Sequence, residues 1–161
     1  MSPPVIPPKP DDHQAVLEGF LAHLRRVCRL QSEWPLKVKV SIGAALDFAA
    51  AAPERAKLLT RGPSPVLPGD SQVAFEARDH LAAMLASGRS QFSPDSSLPG
   101  LTEQMLVGGL QAVIAVRLMD GEALQLPDLA PQLVQIVLIP YLGAKEAARV
   151  AGRPKPTPPE L

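Results

Sequence analysis

Toward its C-terminal end the chain carries two long segments that are apolar on more sides of a helix than one core requires. In LTEQMLVGGLQAVIAVRLMDG, residues 101–121, the helical period gives two apolar faces. Leu101, Met105, Gly108, Ala112 and Met119 form one; Leu106, Leu110, Val113 and Ile114 form the other. The segment from about Pro127 to Leu142, which contains LVQIVLIPYLG at 133–143, is likewise apolar on more than one side. A peripheral helix needs only one inward face, so the surplus calls for a partner. A bilayer is not that partner: the run falls short of the roughly 18 apolar residues of a span, and Gln132 and Gln135 interrupt it. A second copy of the chain is. Adjacent two-faced helices pair with their symmetry mates as an intermolecular four-helix bundle. The expected homodimer runs through about 101–119 and 128–142, with Leu106, Leu110, Val113, Val134, Val137, Leu138 and Tyr141 at the interface.

The remaining sequence reads as an all-α domain. Hydrophobic residues make up 46% of the 161 residues but aromatics only 4%, and alanine and leucine are abundant, which favours helix over sheet. Prolines at 3, 4, 7, 8 and 10 and at 154, 156, 158 and 159 predict Pro-rich extended tails over 1–11 and 153–161 around a helical domain at 12–152. The first helix, about 13–31, is capped by Asp11 or Asp12 and turns Val16, Phe20, Leu21, Leu24, Val27 and Cys28 inward. In LKVKVSIGAALDFAAAA, residues 36–52, large apolar residues are spread around the whole helix, so it is surrounded. The alternation over 36–40 also resembles a short strand, but the alanine-rich continuation favours helix. A short helix opens at Pro53, another spans roughly 71–87 with Asp70 or Ser71 as cap, and 60–70 and 87–100 read as loops. Gly108 and Gly109 each cost about 1 kcal/mol in a helix, for which close helix approach would compensate. Pro140 is expected to bend the last turn before Gly143 stops it.

With 16 basic and 16 acidic side chains the formal net charge is zero, which leaves no overall positive field for a phosphate backbone. The lone Cys28 excludes an internal disulfide, and the N-terminus lacks the order of a signal peptide, so a cytoplasmic protein is expected. Catalytic signals are poor. His23 and Cys28 stand five apart on one helix and cannot face each other, and there is no phosphate loop, no metal motif and no sign of a cofactor. Asp-Asp-His at 11–13 is better explained by helix capping than by a metal.

The motifs resemble the C-terminal ligand-binding and dimerisation domain of TetR-type transcriptional regulators. AALDFAAAAPERAKLL, residues 44–59, is similar to the family's central helix and the short helix after it. Residues 98–151 are similar to its last two long helices, including Gly-Gly, the Leu-Pro-x-Leu linker and Pro-Tyr-Leu-Gly before Glu-Ala-Ala. The resemblance covers about 13–152 and is weakest from 61 to 100. It implies a TetR-like helical bundle whose last two long helices form an intermolecular four-helix bundle, and a small apolar or uncharged effector inside each subunit. It also implies that DNA is read by an N-terminal helix-turn-helix, for which no counterpart stands before Asp11; the chain is therefore not expected to bind DNA by itself. Phe48, Met84 and Met105 are suited to line an effector pocket, as ordinary core residues also would be. His80, on the face of Val73, Ala77 and Met84, borders the interior as an effector contact or a hydrogen-bonded structural histidine. Asp47 either lies buried on the surrounded helix, where it needs a partner, or emerges at a bundle edge. Trp34, before Pro35, reads first as the anchor of a helical corner and second as the closure of a pocket mouth. A pocket of about 300 Å³ or more is what the effector reading requires. The alternative is a structural dimerisation module with a filled core and no ligand.

Overall fold

The computed structural model of the chain describes residues 10–60, 68–92 and 98–152, together with Pro3. Among these residues every regular element is helical and there is no strand. In order they are α1 (Pro10–Arg29), α2 (Trp34–Ala51), α3 (Pro53–Thr60), α4 (Pro68–Ala86), α5 (Arg89–Phe92), α6 (Thr102–Met119), a 3₁₀ segment (Ala123–Leu129), α7 (Ala130–Leu142) and α8 (Ala144–Gly152). The stretch 36–40, which alternates like a strand, lies inside α2. The expected 87–100 loop is interrupted by the single turn of α5, and α4 opens at Pro68, ahead of the expected start at 71. The tails expected over 1–11 and 153–161 fall outside the described residues apart from Pro3, Pro10 and Asp11, and so do the cap side chains of Asp11, Asp12, Asp70 and Ser71.

The surrounded helix is α2. It packs against α1, α3, α6, α7, α8 and the 3₁₀ segment, and buries Val38, Ile42, Leu46 and Ala49. Pro35 in its first turn suits a position whose N–H has no intrahelical partner. Two clusters of buried side chains meet along α2. One joins Leu17, Phe20, Leu21 and Leu24 of α1 to Val73 and Ala77 of α4. The other joins α2 to Val107, Ile114 and Leu118 of α6, Leu126, and Val134, Val137 and Leu138 of α7. Phe48 and Leu81 pack against both. Each fully buried leucine or valine contributes about 1.5–3 kcal/mol, so these contacts position the helices.

Chain reversals are carried by glycine where the backbone requires it. Gly121, at φ 74°, ends α6. Its N–H donates to the Leu118 carbonyl at 3.3 Å and the Glu122 N–H to the Arg117 carbonyl at 2.9 Å, the paired bonds of a Schellman stop. Gly143, at φ 81°, separates α7 from α8. Pro140 sits inside α7 without ending it, and the Gly143 N–H still reaches the Ile139 carbonyl at 2.9 Å. The helix stops at Gly143, as expected. The returning α8 buries Ala147, Val150 and Ala151. Lys39 Nζ donates to the Val150 and Ala151 carbonyls at 3.0 and 3.4 Å, placing a cation at the negative end of α8. Burial lowers the Lys39 pKa.

Candidate functional site

Inside the bundle α2, α3, α4, α6 and α7 leave a cavity of about 70 Å³. Phe20 of α1 closes one side, against Phe48 with ring centroids 5.3 Å apart. Of the pocket residues expected from the sequence, Phe48 and Met84 line the cavity and three others do not. Met105 is 74% exposed, because the face of α6 that carries it turns away from the core. His80 is exposed, and its Nδ1 lies 2.9 Å from the Glu76 carbonyl of its own helix. An acceptor there requires Nδ1 to carry the proton. Asp47 is exposed one residue beyond the buried Leu46, which fits the bundle-edge alternative rather than a buried carboxylate.

The cavity wall is almost wholly apolar, and its polar groups are engaged. Gln111 donates to the Leu59 and Ala74 carbonyls at 2.9 and 3.1 Å and accepts from Arg78 Nε at 2.9 Å. That one side chain ties α6 to α3 and α4. Ser41 Oγ donates to Met84 Sδ at 3.5 Å and lies 2.9 Å from Cys28 Sγ. The space is far below the roughly 300 Å³ expected of a ligand pocket.

On the far side of α6 lies the second feature. At 100° per residue, Leu101, Met105, Ala112, Val116 and Met119 fall in one narrow stripe with Gly109 on its edge, about halfway along. It is open along its length: Val116 is 51% and Met119 75% exposed. The stripe runs about 27 Å, the length of 18 helical residues. Diametrically opposite are the buried Glu103, Val107, Gln111, Ile114 and Leu118. α6 therefore has two faces, in the reverse sense to the one expected. Leu106 and Leu110, assigned to a dimer contact, are half-buried against the core, and Val113 sits at the rim. The same correction applies to α7. Val134, Val137, Leu138 and Tyr141 are all buried within the subunit, while Ile136 and Ile139 are exposed. Close helix approach at Gly108 and Gly109 does not occur within the subunit. A side chain at Gly108 would come no nearer than 3.9 Å to Arg78, and one at Gly109 would meet nothing within 4 Å.

Sequence reasoning missed a polar knot that fixes this end of α6. Glu103 is buried and takes Arg89 through Nε–Oε1 at 2.5 Å and Nη2–Oε2 at 2.7 Å, while Arg89 also caps the Leu98 and Pro99 carbonyls. Tyr141 Oη donates to Glu103 at 2.9 Å. The hydrogen bonds from Arg89 hold the Glu103 carboxyl below the usual carboxylate range. Burial, reinforced by Glu103, pushes the Tyr141 phenol up. Beside it Trp34 is the expected corner anchor: buried, stacked on Phe92 at 5.4 Å, edge-on to Tyr141 at 5.0 Å, and bonded through Nε1 to the Met84 carbonyl at 3.1 Å. Gly88 is obligatory there, since a Cβ would stand 2.2 Å from the Trp34 ring. Arg89 and Glu103 lie fourteen apart across a sequence of loop character, so no periodicity announces them.

Among the described residues no helix is long and apolar enough to cross a membrane, and no group of histidine, cysteine or carboxylate side chains could hold a metal. No family model, curated protein or solved structure matches the chain.

Proposed function

We propose that the chain is a self-pairing, effector-sensing domain of the TetR type, working in the cytoplasm, with α6 between its two sites. One observation carries the reading: the helix that walls the apolar cavity on its inner face carries an uncovered apolar stripe on its outer face. An exposed stripe of this kind marks an association surface, and a self-complementary one makes a twofold dimer. With Ile136 and Ile139 of α7 it supplies the apolar surface of an intermolecular four-helix bundle. Gly109, which meets nothing in its own subunit, gives a close approach to the partner helix. The effector is an apolar ligand that enlarges the cavity by selecting a more open arrangement of its walls. Any action on DNA then passes through a helix-turn-helix head outside these residues.

The small size of the cavity supports a second reading, a structural dimerisation module with a filled core. Thermal unfolding in the presence of decanol, an uncharged apolar probe, separates the two. An effector site raises Tm in a saturable, concentration-dependent way, by RT ln(1 + [L]/Kd) in free energy. A filled core gives no saturable rise and leaves the second reading standing. Sedimentation of a monomer at micromolar concentration overturns both.

A further inference from the structure

A surface groove of about 430 Å³ lies between α1, the start of α2 and α4. Two of its lining residues, Leu81 and Met84, also line the inner cavity. They are therefore the partition between the groove and the cavity. The groove is also cationic. Arg25, Lys37 and His80 line it, and no carboxylate is among the described residues that do so. Its interior neighbour is lined almost wholly by apolar side chains. We propose that groove and cavity are the two halves of one site for an anionic amphiphile of the fatty-carboxylate class, its head held by Arg25 and Lys37 and its tail passing Met84 into the cavity. This rests on the effector reading above, which supplies the tail site; the head site and the gate are added here.

Each part of the arrangement has a physical reason. Met84 is suited to a gate because its backbone is fixed and its side chain is not. The Met84 carbonyl accepts from Trp34 Nε1 at 3.1 Å and from Ser87 Oγ at 2.6 Å. The thioether has three rotatable bonds, and its one hydrogen-bond contact is the long 3.5 Å one from Ser41. Rotation of that side chain opens the partition without moving α4. A charged head does not enter the cavity, where desolvation is costly, and stays in the open groove against guanidinium and ammonium donors. The chain's single tryptophan, Trp34, lines the groove and is bonded to the gate residue's carbonyl, so its fluorescence reports on occupancy.

The test titrates the full chain with decanoate and decanol, both below their micellar concentrations, reading Trp34 fluorescence and Tm, with octyl sulfate as a second anionic head. Expected is saturable binding of decanoate at least tenfold tighter than decanol. In Arg25→Glu/Lys37→Glu that preference is lost while decanol binding is unchanged. Arg25 is exposed and Lys37 half-buried at the groove wall, neither in a buried cluster, so the variant is expected to fold, and its helical circular dichroism checks this. Octyl sulfate binding like decanoate widens the head specificity to anions in general and supports the site. Equal affinity for decanol and decanoate, or a decanoate affinity that survives the double charge reversal, overturns the amphiphile proposal and leaves the apolar effector reading intact. No saturable binding of either probe by a chain that still sediments as a dimer overturns both.

Discussion

At the scale of single residues, Glu103 shows how much one buried carboxylate organises. It gathers Arg89, the Leu98–Pro99 turn through that arginine, and Tyr141. A buried acid is costly unless paired and hydrogen-bonded, and here both oxygens are used. Glu103→Gln is expected to lower unfolding free energy by about 2 kcal/mol, the scale of losing hydrogen bonds to a charged partner, as measured by denaturant titration. The pH dependence follows from the depressed folded-state pKa of Glu103. The wild-type advantage over Glu103→Gln is complete above the unfolded carboxylate value of about 4.3 and shrinks as pH falls through the lower folded value. An advantage that grew on acidification would place the depressed pKa elsewhere.

At the scale of elements, α6 decides the most. Val116 lies in its outer stripe, about one turn before Met119, and belongs to no buried cluster of its own subunit. Val116→Glu is expected to convert the chain to a monomer in sedimentation while leaving helicity and Tm within the small range of surface substitutions; a stable dimer of this variant would move the interface elsewhere. The two faces of α6 were legible from periodicity, but their direction was not. Leu106 and Leu110 looked no more and no less apolar than Met105 and Met119. What turns the helix is polar: Glu103 and Gln111 sit on the inner face, where Arg89, Arg78 and the Leu59 and Ala74 carbonyls satisfy them. Those partners come from other helices, and a hydrophobic pattern does not contain them. α7 is apolar on more than one side, as expected, but the residues named for the partner lie on the side covered by α2, α8 and the 3₁₀ segment, and its exposed large apolar residues are Ile136 and Ile139. Helix existence was easier to read, since Pro35, Pro53, Gly121 and Gly143 punctuate the chain at or next to element ends.

At the scale of the whole molecule, cavity and stripe share a wall one helix thick. Val107, Leu110, Gln111 and Ile114 bound the cavity from the helix whose other side is the stripe. Packed interiors transmit displacement because they have few voids to absorb it. Under the proposed function, a ligand that pushes this wall changes the fit between copies, and the effect is reciprocal by thermodynamic necessity. The dimer dissociation constant measured by sedimentation with and without decanol is expected to change by a factor of about 5 to 150, the usual range of coupling. Decanol affinity is expected to change by the same factor per dimer between dimer and monomer. A dissociation constant unaffected by saturating decanol would mean that the two faces of α6 act independently. Of the candidate residues, Phe48 and Met84, named for their apolar and adaptable side chains, line the cavity wall. The groove beside it was not foreseen, since Arg25, Lys37 and His80 come from three helices.

Under the proposed function every methionine apart from Met1 occupies a working surface: Met84 partitions groove from cavity, and Met105 and Met119 stand near the two ends of the outer stripe. Thioethers in such positions are open to peroxide, and the sulfoxide replaces a pliant apolar group with a polar one. On that reading oxidative damage falls first on the protein's contacts with other molecules, while the leucine and valine interior that holds the fold is left untouched.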